Sequence, residues 1–216
     1  MEMYDSEEFS SLSTSFYSWF KALQEWAAAW IGKPLGNFDN SRNSAFHVPS
    51  GKDYLTASPT LMRTIFIEKQ PLSRMQLSQA LRHASRGEHL PVEHRMLLSA
   101  TDAQLGGDLR SAVIDAATAA EVALASYVAD SLEASGLERT FIDAMIKNVN
   151  GVVNLHELCT RLGGEPAISK GKLTQGLASV RNLAVHGGQT PTPQETTVAR
   201  QHAATIVQAL RPLPQV

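Results

Sequence analysis

The sequence predicts a mainly α protein: an up-and-down helical bundle over residues 90–216, preceded by a small α+β extension over residues 1–89. Apolar residues recur at i, i+3 and i+4 through most of the chain, the period of amphipathic helices. Capping and stop residues punctuate residues 90–216 at helix-length intervals. Only one segment, Leu61–Glu68, has the β-branched and aromatic character of a strand.

The first helix is expected over residues 9–31, where Phe16, Trp19, Phe20, Leu23, Trp26, Ala27 and Trp30 form one stripe. All three tryptophans lie on it. Its polar face holds only Lys21 and Glu25, whereas a membrane-surface helix carries a basic face. Residues 32–59 read as loop, interrupted by Pro34, Gly36, Pro49, Gly51 and Pro59. The strand Leu61–Glu68 needs a partner, either within residues 44–58 or from another chain. Ser73 then predicts a helix start, with Leu77, Ala80, Leu81 and Ala84 on one face up to about His83.

From residue 90 the pattern is continuous. Pro91 fits the first position of a helix carrying Val92, Met96, Leu97, Ala100 and Leu105, closed by Gly106-Gly107. Asp108 is the expected N-cap of a long helix from Leu109 to Ala134. Ala112, Ala116, Ala117, Ala119, Ala120, Ala123 and Ala125 give it small side chains that admit close neighbours. Gly136 ends it, and two shorter helices follow over roughly 138–147 and 154–162, the second closed by Gly163-Gly164. A helix over Lys172–His186 buries Leu173, Leu177, Val180 and Ala184. Thr192-Pro193-Gln194-Glu195 is a capping box with proline at its first helical position, opening a last helix to about Leu210.

Composition excludes several classes. No apolar run approaches the ~20 residues of a bilayer-spanning helix. The N-terminus is acidic and lacks the basic region of a secretory signal, so the cytoplasm is the expected compartment. A single cysteine, Cys159, rules out an intrachain disulfide and a CxxC zinc site, and reads as core. The seven histidines lack HxxxH spacing, so neither a metal nor another cofactor is expected. His83, His89 and His94, interleaved with Arg82, Arg86 and Arg95, read as exposed loop; His156 and His202 have no evident partner. A net charge of −2 argues against a general nucleic-acid coat protein but leaves room for a local basic site.

The chemistry concentrates in Arg181-Asn182-Leu183-Ala184-Val185-His186, followed by Gly187-Gly188. On an α-helix Arg181 and His186 lie about 140° apart around the axis and about 7.5 Å apart along it. Asn182 and His186 share a face. His186 falls in the last turn, where the helix dipole favours the imidazolium, and an imidazole suits proton transfer. The Arg181 guanidinium suits a phosphate. Together they suit metal-free cleavage of an RNA phosphodiester. The string alone is weakly specific, because Arg42-Asn43-Ser44-Ala45-Phe46-His47 repeats it in a stretch without helical period.

The R-N-L-A-V-H string, with the upstream helix from Gly107-Asp108 through Ala120-Glu121, resembles the HEPN superfamily over roughly residues 90–210. HEPN domains are all-α and often act as metal-independent ribonucleases in toxin–antitoxin, CRISPR-associated and abortive-infection systems. The resemblance implies a two-fold homodimer whose motif helices meet in one composite site. It makes Arg181 and His186 catalytic, gives Asn182 an orienting role, and lets Glu121 hold Arg181. Lys170 and Lys172 are candidates to contact an RNA backbone, although a solvated helix start fits both. An antitoxin or sensor protein is an implied partner. Gly187-Gly188 departs from members that carry a modifiable tyrosine two residues after the histidine. Two other readings compete: a binding module of the same fold that grips RNA, a nucleotide or a protein without chemistry, and an unrelated helical regulator.

Overall fold

A computed structural model describes residues 6–32, 72–149 and 151–214, with side chains from residue 14 onward. Among these residues the protein is a helical bundle without strands. The expected strand Leu61–Glu68, its suggested partner in residues 44–58 and the loop beyond Gly32 lie outside the described residues. Two compact units divide between Glu88 and His89.

The first unit pairs α1 (Ser6–Ile31) with α2 (Arg74–Ser85). Ser73 caps α2 as its sequence implies: its hydroxyl accepts from the Gln76 N–H while the Gln76 side chain accepts from the Ser73 N–H. Burial falls on the second half of α1, at Ala22, Trp26, Ala27 and Ala28, and on Ala80 and Ala84 of α2. Phe16, at the start of the predicted stripe, is 40% exposed and stacks on Phe20 of the next turn. Leu77 and Leu81, expected on the buried face of α2, are exposed, because only the alanines of that face meet the core. Trp26 stacks on His83 with ring centroids 4.0 Å apart and donates its indole N–H to the Glu88 carbonyl at 2.8 Å. The Glu88 carboxylate bonds His83 Nδ1. His83 is therefore a packed helical residue, not part of an exposed loop.

The second unit is built around α4 (Leu109–Ala134). Against it pack α3 (Val92–Leu105), α5 (Arg139–Lys147), α6 (Gly151–Arg161), α8 (Ser179–His186) and α9 (Pro193–Leu210). Asp108 caps α4 by accepting from the Ser111 N–H at 3.0 Å. Ala112, Ala116, Ala119, Ala120 and Ala123 have no exposed surface, and Val113, Leu124 and Val128 complete the buried face. Helix α4 is long and apolar enough to meet the length and composition of a membrane span, contrary to the expectation that no segment would. More than half of that stretch is buried inside the bundle, as befits a core helix.

The motif helix is one rod in three parts: α7 (Lys170–Leu173), a π-helical stretch π1 (Thr174–Ala178) and α8. It starts earlier than the sequence suggested because the Ser169 hydroxyl caps the Lys172 N–H. Leu173, Leu177, Val180 and Ala184 are buried, matching the expected stripe. Helix α8 stops at Gly187-Gly188: Gly187 and Gln189 both donate to the Leu183 carbonyl, and Gly188 takes a left-handed φ of 64°. Helix α9 opens with the capping box, Thr192 Oγ1 accepting from the Glu195 N–H and Glu195 Oε2 accepting from the Thr192 N–H. Beyond α9, Arg211 ties the chain end to Glu93 and Asp130, and its carbonyl contacts His94 Nε2 at 2.8 Å. Pro91 caps α3 from one residue outside it, and His94 is buried in the first turn rather than exposed in a loop. Val92 and Leu105, at the two ends of the predicted α3 stripe, are exposed, although Glu93 and His94 beside Val92 are buried.

Two outcomes follow from this packing. Ala120→Leu introduces a branched side chain where α4 has no free volume, and should lower the unfolding free energy by about 1–3 kcal/mol in urea titrations. Burial holds the His94 pKa below its ordinary 6.5, outweighing the opposing Arg211 carbonyl and Glu93. The unfolded chain therefore binds this proton more readily than the folded one. The contribution is complete above pH 6.5 and is lost as pH falls from there through the folded-state value. Wild-type stability should decline over that window, and His94→Gln should flatten the decline in denaturation curves taken at stepped pH.

Candidate functional site

Arg181, Asn182 and Glu121 converge on one cleft of about 480 Å³, with Ala117, Gly151, Val152, Val153 and Ala178 as its other lining residues. Three helices place them. Helix α4 supplies Ala117 and Glu121, which are i and i+4 and share its flank. Helix α6 supplies its first turn, whose backbone N–H groups lack partners within the helix and carry the positive end of its dipole. Helix α8 supplies Arg181, half-buried, and Asn182, exposed. Arg181 Nη1 donates to Asn182 Oδ1 at 3.3 Å. A guanidinium beside a helix N-terminus is a setting for an oxyanion.

The remaining expected site residues go elsewhere. His186 is exposed in the last turn of α8 and does not line this cleft. Asn182 does line it, so the two residues expected to share a face are not both at the cleft. Glu121 shares the cleft with Arg181, while the Arg181 hydrogen bond goes to Asn182. Lys170 Nζ bonds Glu157 Oε2 at 2.8 Å. Together with Arg161 it holds the Glu157 carboxyl below the ordinary carboxylate range. Lys170 thus has a carboxylate partner rather than a free ammonium. Lys172 lines a second cleft, of about 350 Å³, with Gln175, Gly176, Val180, Gln194, Glu195, Val198 and His202. The other R-N-x-x-x-H string, Arg42–His47, lies outside the described residues.

Two features were missed from sequence. The start of α6 was read near residue 154, so its first turn was not assigned to the site; Gly151 after Asn150 was the available signal. His202 had no sequence partner, and its place opposite Gly176 arises only from the packing of α9 on π1. His156 also finds a partner in the fold, its Nε2 lying 2.8 Å from the Ile168 carbonyl oxygen. Among the described residues no three His, Cys, Asp or Glu side chains group as metal ligands. Cys159 is fully buried, and burial pushes its thiol from 9.0 up to about 11.

Comparison with protein-family models, with curated proteins and with solved structures finds no match to this chain.

The Cys159 environment makes one checkable statement about nucleophiles. A thiol at about 11 rather than 9.0 holds roughly a hundredth of the thiolate at neutral pH. Iodoacetamide should modify Cys159 at least roughly 100-fold more slowly in the folded protein than in guanidinium, followed by mass spectrometry.

Proposed function

We propose that this chain is a metal-independent endoribonuclease of the HEPN type, acting on single-stranded RNA as a homodimer. The observation that carries the proposal is the Arg181 cleft: a guanidinium and an amide face the first turn of α6. On the same helix an exposed imidazole, His186, follows within one and a half turns. The cleft supplies charge for a phosphate, and His186 supplies proton transfer.

In this mechanism the ribose 2′-oxygen bonds to the adjacent phosphorus and the P–O5′ bond breaks. The 2′-OH loses its proton to a base and the departing 5′-oxygen gains one. The products are a 2′,3′-cyclic phosphate and a 5′-hydroxyl, and no water is consumed. His186 moves the protons, Arg181 neutralises charge on the phosphorane oxygens, and Asn182 orients the guanidinium through their hydrogen bond. Because His186 does not line the Arg181 cleft of its own chain, Arg181 of one subunit works with His186 of the other. Leu183, 47% exposed between them on α8, offers an apolar contact for the second copy. A two-fold arrangement brings identical faces together. Toxin or anti-phage defence is the proposed setting, with an antitoxin or sensor as the controlling partner. Lys172 lies in the other cleft and is not needed for this step.

The separation of His186 from the cleft also favours one alternative. A module of this fold could hold an RNA phosphate at Arg181 without cutting it.

The test is cleavage of end-labelled single-stranded RNA in EDTA. Wild type should yield 2′,3′-cyclic phosphate ends, and Arg181→Ala and His186→Ala should each lower the rate at least about 100-fold. Re-equilibrated mixtures of the two variants should recover part of the activity, since one composite site in each heterodimer is intact. Cleavage that persists in both variants would sink the catalytic assignment. RNA binding without cleavage by a folded dimer would establish the binding module instead.

A further inference from the structure

The second cleft is built from both sides of the π-helical stretch. Lys172 comes from α7, Gln175 and Gly176 from π1, Val180 from α8, and Gln194, Glu195, Val198 and His202 from α9. Helices with a π turn carry it at functional sites more often than chance. Here the π turn and a glycine coincide. A Cβ on Gly176 would lie 2.4 Å from His202 Cε1 and 2.5 Å from Nδ1. The imidazole therefore lies directly on the backbone of the motif helix, in space only glycine leaves open.

His202 Nδ1 is shielded from solvent and has no hydrogen-bond partner. A proton on Nδ1 would be a buried donor without an acceptor, so the neutral ring carries its proton on Nε2. Nε2 is then the ring's donor, on a residue that lines the cleft. Lys172 adds an ammonium, and Gln175 and Gln194 add amide donors. Val180 and Val198 supply apolar wall. Glu195 is the carboxylate of the cleft, and its Oε2 already accepts from both the Thr192 N–H and the Thr192 hydroxyl. Donors thus outnumber free acceptors among the lining groups.

We propose that this cleft is a binding site for a tetrahedral dianion of the phosphate-monoester class, held by Lys172 and His202 and separate from the Arg181 cleft. A tetrahedral dianion presents oxygens in several directions, which suits donors converging from three elements better than a planar carboxylate. The proposal does not depend on RNA cleavage.

The charged and titratable groups lining the cleft are Lys172, Glu195 and His202. Burial, and then the Lys172 ammonium, hold the His202 pKa below 6.5 in the empty cleft. A bound dianion stabilises the imidazolium, so occupancy must raise that pKa, and binding of an anion of constant charge such as sulfate must strengthen as pH falls through this range.

The experiment is a titration of the full chain, ¹³C-labelled at histidine, with inorganic phosphate and separately with sulfate. Sulfate keeps its charge across the pH range, and sodium chloride at matched ionic strength serves as the control. The His202 resonance, assigned from His202→Gln, should shift saturably with both anions, and its apparent pKa should rise. Lys172→Gln, at an exposed position, should weaken binding about tenfold. Arg181→Ala should leave it within about twofold. A drift equal to that in sodium chloride, or full affinity in Lys172→Gln, would overturn the proposal. Loss of the shift in Arg181→Ala would also overturn it, by placing the anion in the other cleft.

Discussion

Everything in the second unit depends on how closely helices can approach α4. Its buried face is mostly alanine, and Ala116, Ala119, Ala120 and Ala123 have no exposed surface. Short side chains bring neighbouring backbones near, so five helices find room around one. The Arg181 cleft is a consequence. Helix α8 reaches α4 close to Ala117 and Glu121, and α6 begins beside them. The site is thus a product of core packing, without a loop built for the purpose. The same burial explains why an apolar helix of 26 residues belongs to a bundle core.

The motif helix sends its polar and charged side chains to four destinations. Arg181 and Asn182 go to the cleft against α4 and α6, and Lys172 goes to the cleft against α9. His186 faces solvent beyond the last buried residue of the stripe, Ala184. The π turn at Thr174–Ala178 separates Lys172 from the α-helical phase of Arg181. A uniform α-helix would rotate their directions by a different amount. Lys170, the first residue of this helix, is drawn back to Glu157 instead.

Helix boundaries were largely legible because they are local chemistry. Ser73, Asp108 and Thr192 cap helices as short-range rules require, and the glycines after Leu105 and His186 end them. The stripe Leu173, Leu177, Val180 and Ala184 was legible too, since one residue of drift in the π turn leaves these positions buried. Less legible were the histidines. His83 and His94 looked like members of an exposed basic loop, yet one stacks on Trp26 and the other is buried beneath Arg211. Their partners lie 57 and 117 positions away in the chain, beyond the reach of any spacing argument.

The sequence by itself determined the helical class, most helix ends and the buried stripes, because capping hydrogen bonds and the 3.6-residue period act within a few residues. It also placed Arg181, Asn182 and His186 on one helix end. Only the tertiary structure decided which of them share a cleft, that the first turn of α6 joins Arg181, and that His202 rests on Gly176. Those pairings depend on which helix flank meets which neighbour, and that is set by packing volumes summed over the whole core.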